Sequence, residues 1–297
     1  MASLNKAMED HKATHDLFLQ WAEEYGPLFR INILHYVAIW PTDPESVKKY
    51  MMSPDYPKDP NTYERLFNLF GKRFWGKGLL TDPDHQHWYK QRRIMDPAFS
   101  HTYLMQMVGV FNEKAEELMG QLEEKADGKQ HVSMHSLINR VTLDVITKVA
   151  FGMDLGLVEG NKTPFPEAIS TVLKGMLKYI QNPFMQFMPQ HWAFVKEVQK
   201  SADLLRKTGQ ECIMQRKLAM LNGEELPKDI LTKILQVAEK EDGLDDDIML
   251  DNFITFFIAG QETTANQLSF TVMELTRQPE ITQRLREEID DIIGFKT

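Results

Sequence analysis

A mainly α-helical fold with a small β-sheet is what the sequence predicts. Three observations carry that prediction. From about residue 82 onward, apolar residues recur at helical spacing and are interrupted mainly at Pro and Gly. One early run, LFRINILHYVAIW from Leu28 to Trp40, is rich in β-branched and aromatic residues. A segment over about 246–277 then reads as a single helix of roughly 30 residues, against a usual mean near 12. A globular helix of that length crosses a whole domain.

Taken in order, Leu17, Trp21 and Tyr25 fall on one face of a first helix that stops at Gly26-Pro27. The 28–40 run predicts strands, in a hairpin. In PTDPESVKKYMMS, Thr42 or Asp43 caps a helix with Pro44 at its first position. The early helix and hairpin occupy 10–60 and the helical core 82–297, in one domain. Within the core, breaks fall at Pro97, Gly128, the Gly160 to Pro166 loop, Pro183 and Pro189. Two further helices precede the acidic EDGLDDDIMLDN, which leads into the long helix.

With 297 residues, 42% of them hydrophobic, the chain can bury a sizeable core. A net charge of −9 and no dense basic tract argue against nucleic acid as a partner. One cysteine, Cys212, excludes a disulfide framework and a Cys-rich metal site. The polar first 26 residues carry no secretory signal. No run of about 18 or more apolar residues occurs, so no segment of these 297 residues is expected to span a membrane or to serve as an anchor.

The long helix contains FFIAGQETTANQLSF, Phe256 to Phe270. An interior glycine costs a helix about 1 kcal/mol relative to alanine. Close approach of a flat ligand at Gly260 is one compensation. Ala259 and Thr263 lie one turn apart on one face. Thr263 or Thr264 can donate its hydroxyl to the carbonyl four residues back, which bends or loosens a helix. Glu262 beside Thr263 places a carboxylate next to a hydroxyl, a pair able to pass protons inward. A kinked core helix with a surface glutamate and two tolerated threonines is the alternative.

A second pattern is HWYKQRR, in which Trp88 and Arg92 stand one helical turn apart. An indole N–H and a planar guanidinium fork together suit a buried carboxylate. The alternative is a surface tryptophan beside a basic run.

Trp-x-x-x-Arg at Trp88 to Arg92, VTLDVITKVAFG (Val141 to Gly152) and AGQETT in the long helix resemble, in that order along the chain, motifs of the cytochrome P-450 monooxygenases. PESVKKYMMS, FNEKAEELM, KADGK and FTVMEL with RQPEI are similar to a sterol-hydroxylating branch of that family. The resemblance covers essentially the whole chain. It implies the N-terminal to central-helix part of the cytochrome P-450 fold, with haem as cofactor and Trp88 and Arg92 holding a haem propionate. It implies that Ala259 and Gly260 line the wall over the porphyrin. Thr263 would hydrogen-bond the oxygen being activated, and Glu262 would relay protons to it. The implied activity is reductase-dependent hydroxylation of a lipophilic substrate of the sterol class, at the cytosolic face of the endoplasmic reticulum membrane with an NADPH-cytochrome reductase as partner.

The sequence departs from the family pattern in two places. The cysteine loop that ligates the iron is absent from these 297 residues, and Cys212, in GQECIMQRKL, reads as an ordinary helical thiol. Glu274 and Arg277 have the letters of the family's Glu-x-x-Arg motif, but they end the long helix and read as a surface pair. The expectation is therefore an interior fragment or truncated product, and a non-catalytic chain is the rival reading. A histidine-ligated haem is disfavoured, because no histidine lies on or after the long helix.

Other residues have weaker claims. In FGKRFWGKGLLTD, Trp75, Leu79 and Leu80 are the candidates for substrate contact. Gly71, Gly76 and Gly78 suggest an irregular, mobile loop. Phe184, Met185, Phe187, Met188 and Trp192, in the 183–192 segment, suit insertion at a membrane surface or a plain buried loop. His11 with His15, and His131 with His135, are spaced for zinc, but no third ligand type recurs with them, and a solvated helix face is the better reading.

Overall fold

The computed structural model describes residues 14–33, 36–53, 55–241 and 243–294. It divides into two compact units, residues 1–57 and 58–297.

In the first unit, helix α1 (Thr14–Tyr25) is followed by strands β1 (Leu28–Ile33) and β2 (Tyr36–Pro41). The strands pair antiparallel, with Phe29 opposite Trp40 and Ile31 opposite Ala38. The α1 face that packs is Leu17, Phe18 and Trp21. Leu17 is buried, Phe18 lies 4.4 Å from the Trp40 ring, and Trp21 meets Phe29 edge-on at 6.2 Å. Tyr25, expected on that face, is 64% exposed, because the helix ends there and has no further turn to pack. Helix α2 (Pro44–Met52) begins as its cap chemistry requires. Asp43 Oδ1 accepts from Ser46 N at 2.8 Å, and Thr42 instead donates to Pro27 O at 3.0 Å.

The second unit begins with α3 (Pro60–Phe67) and a two-residue antiparallel ribbon, β3 (Asn68–Leu69) with β4 (Lys72–Arg73). Helices α4 (His85–Met95), α5 (His101–Leu104), α6 (Val108–Lys125), α7 (Met134–Phe151) and α8 (Phe165–Gln181) follow. After two 3-10 turns come α9 (Trp192–Leu221), α10 (Ile230–Ala238), the central helix α11 (Asp246–Arg277) and α12 (Pro279–Ile293). Among the described residues, no helix is long and apolar enough to cross a membrane.

The core sits where α11 lies along α7, with α9 across its first half. Phe151, Phe253 and Phe257 stack in sequence, 3.9 Å and 5.7 Å between successive ring centroids. Burying each such ring contributes about 1.5–3 kcal/mol. Gly209 lets α9 come this close, since a Cβ there would lie 2.6 Å from the Phe253 ring. Helix α7 stops at Gly152, whose φ of +68° is left-handed and whose N–H returns to Lys148 O. The chain after it is tied back by the buried Asp144 carboxylate, which accepts from Leu157 N at 3.0 Å and Val158 N at 2.9 Å.

Candidate functional site

The loop between β4 and α4 is anchored to the central helix by two side chains. Asp251 is fully buried and accepts from Arg73 Nε at 3.1 Å, Arg73 Nη2 at 2.6 Å, Arg206 Nη1 at 2.8 Å and Lys77 N at 2.8 Å. Asn252 Oδ1 accepts from Leu79 N at 2.8 Å, and its Nδ2 donates to Gln91 Oε1 at 2.8 Å. The loop was expected to be mobile on account of its glycines, and its geometry corrects that. A Cβ at Gly76 would overlap the Asp251 carboxylate, and one at Gly78 would lie 2.9 Å from Thr255 Oγ1. These two glycines admit the helix rather than loosen the loop.

The candidate substrate residues lie on this anchored loop. Trp75 is 4% exposed, and its indole N–H is buried without a hydrogen-bond partner among the described residues. Leu79 is half-buried, and Leu80 is exposed. Beyond them, Asp82 is buried, accepts from Gln91 Nε2 at 2.8 Å and contacts His87 Nδ1.

Helix α4 starts at Asp84, which accepts from Gln86 N and His87 N. Trp88 Nε1 donates to Leu79 O at 3.1 Å. Arg92 is exposed, and its Nε lies 2.6 Å from Asp96 Oδ1. The two heads expected on one propionate thus have separate partners here. Gln91 joins α4 to the central helix at Asn252, which lies about 16 Å along the axis from Thr263 at 1.5 Å per residue.

On the central helix, Ala259 and Thr263 are exposed on one face, while Gly260 and Glu262 are half-buried. Thr263 Oγ1 donates to Ala259 O at 2.7 Å, the backward bond that the Thr-Thr pair allows. Phe256, one turn earlier, meets Phe99 at 5.2 Å. Gly260 faces elsewhere. A Cβ on it would lie 2.5 Å from Ile146 Cδ1 and from Ile146 Cγ1. Close packing against α7, rather than a flat ligand, is what this structure shows the glycine accommodating.

Toward haem, these residues offer an open face and no thiolate. Ala259 and Thr263 leave one side of the helix clear for a planar group. Cys212 lies on α9 with Sγ 3.7 Å from Phe151 O, and burial pushes its thiol up to about 11, so it is held protonated. Glu274 and Arg277 form the surface pair, 3.1 Å apart. His11 lies outside the described residues. His15 is 3.8 Å from Asp16, and His135 approaches Asn266 and Asn139. In the 183–192 segment, Phe184, Phe187 and Trp192 are exposed and Met185 is buried.

Sequence reasoning missed Asp251, Asn252 and Gln91. A signal existed: Asp251 and Asn252 interrupt the apolar run of a helix whose flanking residues, Leu250 and Phe253, are buried. Read whole, the acidic tract EDGLDDDIMLDN only leads into the helix and does not single them out.

Residues 3–297 match the sequence model of the family described as Cytochrome P450. Cytochrome P450 4d2 of Drosophila melanogaster is 26% identical over 292 residues, covering 91% of this chain and 56% of that protein. Cytochrome P450 3A28 of Bos taurus is 25% identical, covering 95% of this chain and 56% of that protein. A bifunctional cytochrome P450/NADPH–P450 reductase of Bacillus cereus is 26% identical, covering 94% and 26%. The crystal structure of the cytochrome P450DA heme domain superposes with a TM-score of 0.79 at 24% identity, covering 95% of this chain and 59% of that one. The chain spans about half the length of the first of these relatives.

Proposed function

Because this chain belongs to the cytochrome P450 family, we propose that the protein is a haem-dependent monooxygenase hydroxylating a lipophilic substrate of the sterol class, in the manner of cholesterol 24-hydroxylase. An NADPH-cytochrome reductase supplies its electrons. The observation that carries this reading is the clear face of the central helix at Ala259 and Thr263.

Haem, when bound, supplies the oxygen activation. The chain's own residues position and protonate. Thr263 presents a hydroxyl at the open face, and its bond to Ala259 O leaves its oxygen able to accept a further proton donor. Glu262, half-buried at the preceding position, has no hydrogen bond or ion pair among the described residues, and an unpaired carboxylate there suits a proton relay. Ala259 forms the adjoining wall, while Gly260 serves the packing against Ile146. Trp88 and Arg92 would hold a propionate after exchanging Leu79 O and Asp96 for it. An exposed pair such as Arg92–Asp96 is worth only about 0–1 kcal/mol, so that exchange costs little. Trp75, Leu79 and Leu80 would meet the substrate, and the unpartnered Trp75 N–H suits a substrate hydroxyl. Phe184, Phe187 and Trp192 suit the surface of the endoplasmic reticulum membrane on its cytosolic side.

A second reading, a non-catalytic chain, is favoured by the protonated, misplaced Cys212. The 297-residue chain mixed with haem, reduced and exposed to carbon monoxide is expected to give no thiolate-type Soret band. Such a band, lost on Cys212→Ser, would exclude the second reading and reassign the ligand. In the haem-loaded whole protein, Thr263→Ala is expected to raise peroxide release relative to sterol product without weakening the substrate-induced spectral shift. Loss of that shift with coupling intact would make Thr263 a pocket residue and sink the proton-delivery role.

A further inference from the structure

A cleft of about 740 Å³ opens on the other side of the central helix, between α7, the loop before α8, and the helix itself. Two residues along a helix turn the face by about 200°, so Gln261 looks away from both Ala259 and Thr263. Gln261 is 5% exposed and, with Leu157 and Ile169, supplies the buried part of the lining. Its Nε2 donates to Asn139 Oδ1 at 2.5 Å. Its Oε1 is buried and accepts from nothing among the described residues, and the buried Oγ1 of Thr163 also lacks a partner.

The charges around the cleft are likewise unpaired. Arg140 and Lys162 are exposed lining residues with no hydrogen bond or ion pair among the described residues. Glu262 is the single carboxylate in the lining. Two cations against one anion favour a negatively charged guest. A guanidinium fork and an ammonium suit the oxygens of a phosphate or carboxylate. The Gln261 oxygen requires the opposite chemistry, an O–H or N–H donor, because a buried acceptor left unsatisfied is costly. A volume of this order suits a small molecule.

We propose that this cleft binds a small hydroxylated anion. Its phosphate or carboxylate meets Arg140 and Lys162, and its hydroxyl donates to Gln261 Oε1 beside Thr163. The guest's contacts, Arg140, Lys162 and Gln261, are distinct from Ala259 and Thr263 of the proposed monooxygenase, only Glu262 being common to both, and the proposal does not depend on that activity.

Calorimetric titration of the full chain with glycerol 3-phosphate and with glycerate tests the proposal and tells the two anion types apart. Saturable binding of one molecule per chain is expected for at least one of them, with glycerol alone giving none. The double variant Arg140→Gln, Lys162→Gln, altered only at exposed positions, is expected to weaken binding about tenfold or more. Gln261→Met is expected to weaken glycerol 3-phosphate while leaving inorganic phosphate unchanged. No saturable heat for either anion at millimolar concentration, or unchanged affinity in the double variant, would overturn the proposal. Equal affinity for inorganic phosphate and glycerol 3-phosphate in the unaltered protein would overturn the hydroxyl contact. Should Gln261→Met fail to fold, the double variant and the phosphate comparison still decide.

Discussion

Residues 246–258 and 259–277 belong to one continuous helix but have different surroundings. In the first stretch nearly every side chain from Ile248 to Ile258 is buried, polar ones included. In the second, only Gln261 and Ala265 are buried, and Leu268 and Phe270 are 44% and 62% exposed. Helix propensity does not distinguish the two. The difference lies in what reaches them: α9 and the loop after β4 close over the first stretch, whereas the second has α7 along one side and a clear face on the other. Polar residues follow the same division. Asp251 and Asn252 are fully engaged, while Glu262 has no partner among the described residues.

The largest expected effect comes from breaking the closed half. Asp251→Ala removes four hydrogen bonds, three of them from arginines, and frees the loop that carries Trp75 and Leu79. A loss of about 3–5 kcal/mol is expected in denaturant unfolding. A loss below about 1 kcal/mol would show that the loop is not held through this carboxylate.

A smaller effect probes the boundary between the halves. Gly260→Ala gains about 1 kcal/mol of helix propensity but drives a methyl into Ile146, which costs about 1–3 kcal/mol. Net destabilisation is expected, and adding Ile146→Ala should relieve part of it in a double-mutant cycle. Independent effects of the two changes would return Gly260 to the role of making room for a ligand. Weaker still, replacing Leu268, Phe270 and Met273 together by Gln should change folding stability by no more than about 0.5 kcal/mol per site while lowering binding of a hydrophobic dye. A large stability loss would mean that this face is packed.

The same contrast shows what the sequence made legible. Periodicity and capping residues place the central helix, and its structural limits are Asp246–Arg277. The mainly helical class follows from the same signals. Partners distant in sequence were not legible. Arg206 meets Asp251 across 45 positions and Leu79 meets Asn252 across 173. No local pattern records such pairings. Gly260 stands out in a helix interior, but its neighbour Ile146 lies on another helix, so the sequence alone does not show what the glycine admits. Trp88 and Arg92 share a turn of α4, yet their partners, Leu79 O and Asp96, follow from how the adjoining loop and helix end are placed.

The smallest expected effect is that of Thr263→Ala on folding, and its sign separates a functional hydroxyl from a structural one. Thr263 is exposed on the open half, so its methyl contributes little burial. Its hydroxyl bonds to Ala259 O, an acceptor already within the helix, and such backward bonds slightly destabilise and bend the helix. Alanine also has the higher helix propensity, by at most about 0.7 kcal/mol. Both effects point the same way, so the variant should be as stable as the parent or more stable by about 0.5 kcal/mol in urea unfolding. A residue that can be removed at no cost to folding, within a helix otherwise built for packing, is one whose presence the fold does not explain. If Thr263→Ala instead cost more than about 1 kcal/mol, its hydroxyl would be part of the scaffold. A change in coupling in the whole protein would then no longer identify it as a group acting on oxygen.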